Sequence, residues 1–350
     1  MRILLTTRFY RNGQTTHVLT LCAELLRQGH EVFLIISQLD CPQYATWLKK
    51  AGIPYSRHGD PLRLVGLIKK WKPDLIHNHS GQTLEATISL GELLQVPTLT
   101  TTHYLDFQPQ ELLPKQAAVI VISREMQNLF QLPVPTFLVE NGVPLPKETK
   151  KKKFSKQALF LAQVTQGKQN HFAHMAKKLL AWGWKVKSAG NWRYPGVQYL
   201  GWVTDVWPLI YQTDLVVGTG RAIREGMAST CATWVLGEYC DGLVTPQTVQ
   251  AFRRTNFSGR TTKNPFNPKE AALLLQNPDQ ELFRKLGDFG REYATRNFAI
   301  ETIVHRHIHI YNYVLENPQP QVVSKTGKSR IMSNIGRKGG IGYETSDHCG

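Results

Sequence analysis

The sequence has no long apolar run. Stretches such as LFLA (159–162) and LIHN (75–78) stop far short of the ~20 residues a membrane span needs. Its opening, MRILLTTRFYRNG, lacks the apolar core and small-residue cleavage site of an export signal and reads as a first β-strand. Cysteine is scarce: five residues (Cys22, Cys41, Cys231, Cys240, Cys349), an odd number, widely spaced and without a Cys-x-x-Cys pair. That excludes a disulfide framework or a cysteine zinc site and suits a reducing cytoplasm. Acidic residues are few, 26 against 42 Lys+Arg, which leaves a net charge of +16. The imbalance is uneven: residues 1–150 hold 15 Lys+Arg against 12 Asp+Glu, and residues 151–350 hold 27 against 14. Such a field attracts anionic partners, nucleoside diphosphates and anionic lipid headgroups among them. No aromatic-interleaved RNA motif or helix-turn-helix pattern accompanies it, so no nucleic acid partner is expected. A G-x-G-x-x-G fingerprint is also missing, which argues against a dinucleotide oxidoreductase.

What is present is a globular composition, 41% apolar and 19% charged, in a chain long enough for two domains. Strand and helix signals alternate, which implies parallel sheets covered on both faces. In the first half, strands are expected at 1–7, 30–37, 74–79, 97–102, 117–123 and 136–140, with helices at 15–29, 62–71, 81–95 and 124–131. The like-charged run KETKKKKFSK (147–156) reads as a linker. The rhythm then restarts, with strands at 157–163, 184–190, 197–202, 213–220 and 231–237. Helices are expected at 171–183, 221–228, 268–276, 281–297 and 299–317. Beyond Pro318, Ser, Gly, Lys and Arg dominate, and residues 318–350 read as a disordered basic tail.

In open parallel sheets, ligands bind beyond the carboxyl ends of the strands, where helix N-termini present free N–H groups. Two loops fit such a place. RFYRNGQTTH (8–17) follows the first strand, and Gly13 would let the backbone approach a phosphate or sugar. GTGRAIREGMA (218–228) joins a strand end to a helix: Gly218 and Gly220 reduce bulk, Arg221 offers a cation and Glu225 an acceptor for ribose hydroxyls. The competing reading is a solvated Arg221–Glu225 pair one helical turn apart. His103 ends a strand inside the inferred cleft. His77 and His79 are expected on opposite faces of their strand, and His305, His307 and His309 do not share one helix face, so no metal site is expected.

Taken in order, RNGQTTHVLTLCAELLRQGHEVFLI, PDLIHNHS (73–80), VPTLTTTH (96–103), VIVIS (119–123), VENGV (139–143), FLAQVTQGK (160–168), YLGWVTD (199–205) and the 218–228 block resemble family 4 glycosyltransferases over residues 1–317. The resemblance implies the GT-B fold, two Rossmann-like α/β domains facing each other across a cleft. It places an acceptor-side domain at 1–146, a linker at 147–156, a donor-binding domain at 157–298 and a helix, 299–317, crossing back to the first domain. It implies sugar transfer from a nucleotide-sugar, with retention of configuration and no metal or other cofactor. By position, Glu225 corresponds to the glutamate that binds the donor ribose and Lys168 to the lysine that neutralises the diphosphate. His103 stands near the transferred sugar, Gly13 in the acceptor-side loop, and Arg221 in a Gly-Thr-Gly-Arg variant of the donor motif. Three positions depart from the pattern: Val217 replaces the first motif glutamate, Gln163 the arginine that accompanies the lysine, and Asn12 the first loop glycine.

The expected reaction is therefore glycosyl transfer to a sugar or lipid-linked acceptor in polysaccharide or glycolipid assembly. His103, Lys168 and Arg221 are the expected catalytic groups, and Gly218, Gly220, Glu225 and Gln163 the donor-side contacts. Cations aimed at the departing diphosphate would stabilise the transition state more than the ground state. A further cation could come from Arg253, Arg254, Arg260 or Lys263, a stretch that otherwise reads as an exposed basic loop. Val217 and Gln163 keep a nucleotide-sugar-binding protein without turnover as an alternative, and a sugar-nucleotide epimerase of the same fold is another. RLVGLIKKWK (63–72), apolar with a basic, Trp-containing end, could rest on the inner face of a membrane or simply cover a sheet.

Overall fold

The computed structural model describes residues 1–147 and 153–317. Residues 148–152 of the 147–156 linker and the whole 318–350 tail, Cys349 included, lie outside the described residues.

The first lobe is a seven-stranded sheet. Its strands are β1 (Arg2–Phe9), β2 (Glu31–Leu39), β3 (Tyr55–Arg57), β4 (Leu75–Asn78), β5 (Thr98–Thr102), β6 (Ala118–Val121) and β7 (Thr136–Leu138). Their order is β3-β2-β1-β4-β5-β6-β7, with every pair parallel. Its helices are α1 (Gly13–Arg27), α2 (Gln43–Lys50), α3 (Val65–Trp71), α4 (Gly81–Leu94) and α5 (Arg124–Leu129). Side chains on β1 alternate between the two faces. Ile3 and Leu5 pack with Leu21 and Leu25 of α1, whereas Leu4 packs with Ile68 of α3 and Leu90 of α4.

The second lobe repeats the plan with β8 (Gln157–Ala162), β9 (Lys185–Gly190), β10 (Gln198–Tyr199), β11 (Leu215–Gly218), β12 (Ala232–Leu236) and β13 (Cys240–Leu243). The order is β10-β9-β8-β11-β12-β13, and the β12–β13 pair alone is antiparallel. The helices are α6 (Gln166–Ala181), α7 (Trp207–Ile210), α8 (Arg221–Ala228), α9 (Val249–Arg254), α10 (Pro268–Leu275), α11 (Gln280–Phe298) and α12 (Ile300–Glu316).

Several elements differ from the sequence reading. α6 begins at Gln166, five residues before the expected start, because QGKQN is polar and carries no helical apolar signal. The expected 62–71 helix is a 3-10 turn, Pro61–Leu64, followed by α3. Only Gln198–Tyr199 of the expected 197–202 strand pairs. The strands β3 and β13 and the helices α2, α7 and α9 are all eight residues or shorter, and such segments carry little periodic signal.

The chain passes between lobes twice, and the two crossings are tied together. The Val143 amide donates to the Phe298 carbonyl at 2.8 Å, and the Ile300 amide donates to the Val143 carbonyl at 3.0 Å. α12 then packs on the first lobe, where Ile303, Val304, Tyr311 and Val314 join the cluster around Ile3 and Leu5. Each such side chain contributes roughly 1.5–3 kcal/mol of apolar burial, enough to fix the helix there.

Candidate functional site

The carboxyl end of the first sheet carries a cavity of about 340 Å³, formed by the segments after β1, β4 and β5. Tyr10, Asn12 and Gln14 come from the first, His79 to Gln82 from the second, and Tyr104 and Asp106 to Gln108 from the third. Asn12 is the N-cap of α1, its side-chain oxygen accepting from the Thr15 amide at 3.1 Å while its amide donates to the Tyr104 hydroxyl at 2.6 Å. The Tyr10 hydroxyl donates to Gln82 at 2.7 Å. Aromatic faces beside amides and a carboxylate suit a carbohydrate, which is apolar on its ring faces and polar at its hydroxyls. Tyr10, Gln82, Tyr104, Asp106 and Phe107 carry no motif and escape a reading of the sequence. A methyl on Gly13 would lie 3.5 Å from the Arg221 Cβ, an ordinary contact, so the turn after β1 runs beside the second lobe.

Behind this cavity lies a cluster of five buried histidines, His17, His77, His79, His103 and His307. His79 and His77 share a face, with ring centroids 4.0 Å apart, so the expectation of opposite faces was wrong. Residues two apart on a strand point the same way. His79 Nδ1 lies 3.1 Å from His103 Nε2, and His77 bonds to Tyr311 and Thr101 at 2.7 and 2.8 Å. His103 therefore stands behind His79, which itself lines the cavity. Burial lowers the imidazolium of each; for His103 it reaches about 3 and for His307 about 4. These rings are neutral at ordinary pH, and His77, His79, His103 and His307 serve as hydrogen-bond partners. Among the described residues, no group of three or more His, Cys, Asp or Glu side chains is arranged to hold a metal ion. His307 is buried on α12, while His305 and His309 are exposed.

The carboxyl end of the second sheet has a floor of bare backbone. A Cβ on Gly218 would come within 2.5 Å of the Leu161 carbonyl oxygen, and one on Gly237 within 2.3 Å of that of Ser258. Gly220 holds φ at 55°, where glycine is favoured, and its amide donates to the Phe257 carbonyl at 2.9 Å. Beside this floor, the N-cap of α6, Thr165, makes no side-chain cap, leaving N–H groups for an anion. Lys168 sits in that first turn, its ammonium 3.4 Å from the carbonyl oxygen of Gln163. Burial lowers its pKa; Glu238 opposes the shift and Arg260 adds to it.

Arg221 and Glu225 are brought together, though not in solvent. Both are buried; Arg221 Nε donates to Glu225 at 2.7 Å and Nη1 donates to the Gly142 carbonyl at 2.9 Å. Burial raises the Glu225 carboxyl, and the Arg221 charge holds it back. Two donors of Arg221 are thus committed within the protein, and Arg260 is the arginine whose charge acts on Lys168. Of the basic segment near it, Arg253 belongs to α9 and pairs with Glu140 at 2.6 Å, so it is not part of an exposed loop. Arg254 and Lys263 are exposed.

The two carboxyl ends face each other across one seam. Gly13, after β1, lies against Arg221, after β11. Arg260 reaches Glu125 of α5 at 2.9 Å.

Residues 11–146 match the family described as Glycosyltransferase Family 4. A glycosyltransferase from Rickettsia africae ESF-5 is similar, with TM-score 0.65, 16% identity, and coverage of 90% of this chain and 99% of that one. Anabaena Alr3699/HepE, in complex with UDP and glucose, superposes with TM-score 0.69 at 15% identity, covering 89% of this chain and 100% of its own. TarM of S. aureus, in complex with UDP and alpha-GlcNAc-glycerol among others, gives TM-score 0.64 at 11% identity, covering 89% and 99%. No curated protein matches the sequence. The chain has the two-lobed GT-B fold of these glycosyltransferases, and its first lobe carries the Glycosyltransferase Family 4 pattern across residues 11–146.

Proposed function

We propose that the chain transfers a hexose from a nucleoside diphosphate donor to a carbohydrate-bearing acceptor, with retention of configuration, in polysaccharide or glycolipid assembly. The observation that carries the reading is the pairing of unlike ends across one seam. An uncapped helix N-terminus bearing Lys168 stands at the carboxyl end of one sheet, and a polar, aromatic cavity at that of the other. The first suits a diphosphate and the second a sugar.

The leaving nucleoside diphosphate gathers negative charge as the glycosidic bond breaks. Lys168 and the α6 amides meet that charge, already oriented, with little reorganisation during the reaction. Gly218 and Gly220 supply the bare floor beneath the donor, and Glu225, held by Arg221, is assigned to the ribose hydroxyls. Asn12, Gln82 and Asp106 are assigned to acceptor hydroxyls, with His103 setting the hydrogen bonding of His79 from behind. HepE binds UDP and glucose, so UDP-hexoses are the first donors to try. The exposed, basic surface of α3 is assigned to an anionic membrane face, which brings the protein to a lipid-linked acceptor.

Incubation of the purified protein with UDP-, GDP- and ADP-hexoses, with release of nucleoside diphosphate followed over time, tests the reading. Release that stops in the Lys168→Ala protein supports it. Tight binding without release identifies a binding protein instead, and an isomerised donor an epimerase. NMR of the product reads the anomeric outcome.

A further inference from the structure

At the place where the resemblance expects a lysine and an arginine, this chain has Lys168 and the neutral Gln163. One cation beside a diphosphate leaves charge unmatched, and Arg221 is committed to Glu225 and the Gly142 carbonyl. A second cation whose charge reaches Lys168, Arg260, comes from a segment far along the sequence. Residues 255–262 form a pinned loop over the carboxyl ends of β11 and β12. Phe257 accepts from the Gly220 amide at 2.9 Å, anchoring the loop to the glycine-rich floor. Asp241 accepts from the amides of Thr261 and Thr262 at 3.2 and 2.8 Å, anchoring it to β13. The loop comes so near the end of β12 that a Cβ on Gly259 would lie 2.7 Å from the Gly237 amide nitrogen. Asn256, Phe257 and Gly259 all adopt positive φ, so the loop follows a tight path that sets the direction of Arg260.

Arg260 leaves this loop at the seam, a third exposed, and pairs with Glu125 of the facing lobe through Nη2 at 2.9 Å and Nε at 3.4 Å. Its neighbour on the donor side is the α6 N-terminus. Glu238, which directly follows Gly237, lies within 3.7 Å of a Cβ placed on Gly167, and the Arg260 charge is felt at Lys168.

We propose that Arg260 supplies the second cation of the donor diphosphate site, replacing the one missing at Gln163, and that Glu125 holds it across the seam until a diphosphate competes for it. The inference rests on the donor site assigned under the proposed function and adds to it a residue and a competition. A guanidinium bridging two lobes through a single carboxylate can exchange that carboxylate for a phosphate without moving its own loop, since both are bidentate acceptors. Donor binding then loosens one interlobe tie, which couples occupancy of the site to the contact between lobes.

Calorimetric titration with UDP, GDP and ADP, and with the free nucleosides as controls, separates this proposal from a purely structural clasp. Arg260→Gln weakens the tightest diphosphate roughly tenfold or more and leaves its nucleoside unchanged. Glu125→Gln acts in the opposite direction and tightens the diphosphate, because the guanidinium no longer has a competing anion. Adding Gln163→Arg to Arg260→Gln returns a second cation from the family's own position and recovers affinity. Arg260→Lys keeps the charge but loses the two-pronged donor, so it weakens the diphosphate less than Arg260→Gln while sparing the nucleoside, and unchanged diphosphate affinity in it overturns the proposal should Arg260→Gln not fold. Affinity within twofold of the unaltered protein in Arg260→Gln, while Lys168→Ala loses it, overturns the proposal and leaves the transferase reading standing. Equal and same-signed effects of Arg260→Gln and Glu125→Gln overturn it too, since a clasp alone behaves that way. Failure of all three diphosphates to bind the unaltered protein removes the donor site itself, and this inference with it.

Discussion

Glu140 of the interlobe segment accepts from Arg253 of α9 through both carboxylate oxygens, at 2.6 and 3.1 Å. The fully buried Arg224 stands 3.6 Å from the same carboxylate. Arg224 also stacks on Phe298 at 4.8 Å and bonds to Asn256 at 2.8 Å, and burial lowers its pKa to about 10. One carboxylate thus serves two guanidinium groups beside the point where the chain first leaves the amino-terminal lobe. Removing it strands a buried cation. Glu140→Ala is expected to lose about 3–5 kcal/mol of folding stability, the usual cost of breaking a buried ion pair from one side. Urea unfolding of the two proteins measures this; a loss below about 1 kcal/mol, the range of exposed pairs, would show that water reaches Arg224.

The histidine cluster makes stability fall in acid. Each of the five imidazoles has its pKa lowered by burial, so the unfolded chain, near 6.5, takes up protons that the folded one refuses. The stabilising contribution is whole above about pH 6.5 and is lost as pH falls toward about 4 for His307 and about 3 for His103. The loss is at most about 1.4 kcal/mol per pH unit for each histidine. Urea titrations at pH 7.5, 6.5, 5.5 and 5.0 are expected to show a steepening decline, and His307→Gln a shallower one. A flat profile down to pH 5 would contradict the neutral cluster.

Asn12 caps α1 and ties it to Tyr104. Asn12→Ala removes both contacts and is expected to cost about 1 kcal/mol, typical of a lost N-cap. Asn12→Gly costs only a few tenths through the cap, so any further loss measures the Tyr104 contact. Equal stability of all three proteins would mean the cap contributes nothing.

The βαβ rhythm was legible because central strands are buried on both faces: β6 is the unbroken apolar run AVIV, and β1 carries the apolar triplet Ile3, Leu4 and Leu5. The 221–228 helix was legible to the residue, since its motif carries glycines before it and Arg221–Glu225 spacing within it. What the sequence hid depends on distance along the chain. Glu125 and Arg260 are 135 residues apart and meet only because two lobes face each other. Arg224 reads as one more charge on a polar stretch, yet it is fully buried. The five histidines come from four separate elements, so no spacing rule joins them. The assignment of His77 and His79 to opposite faces failed on parity alone.

If Lys168 and the α6 amides carry the charge of the leaving diphosphate, donor turnover should not depend on a divalent cation. Activity after exhaustive EDTA treatment is expected to stay within about twofold of the untreated protein. Lys168→Ala should instead lose a charge-assisted contact of roughly 1.5–3 kcal/mol, or about ten- to a hundredfold in diphosphate affinity. Loss of activity in EDTA that added Mg²⁺ or Mn²⁺ restores would move the charge compensation from lysine to metal.

The face of the first lobe around α3 combines exposed apolar and basic side chains. Leu62 and Leu67 are 36% and 49% exposed there, beside the exposed Arg63, Lys69, Lys70 and Lys72, while Ile68 alone of α3 is buried in the core. No described helix is long and apolar enough to cross a membrane. A basic residue at an anionic surface contributes about 1 kcal/mol, and two leucine side chains add apolar insertion. The protein is expected to sediment with vesicles containing phosphatidylglycerol, to be released by salt, and to ignore vesicles of phosphatidylcholine alone. Leu67→Glu combined with Lys69→Glu and Lys70→Glu should abolish sedimentation while leaving release of nucleoside diphosphate from a soluble donor intact, because α3 lies away from the seam. Sedimentation that persists in this variant would place any lipid contact elsewhere on the basic surface.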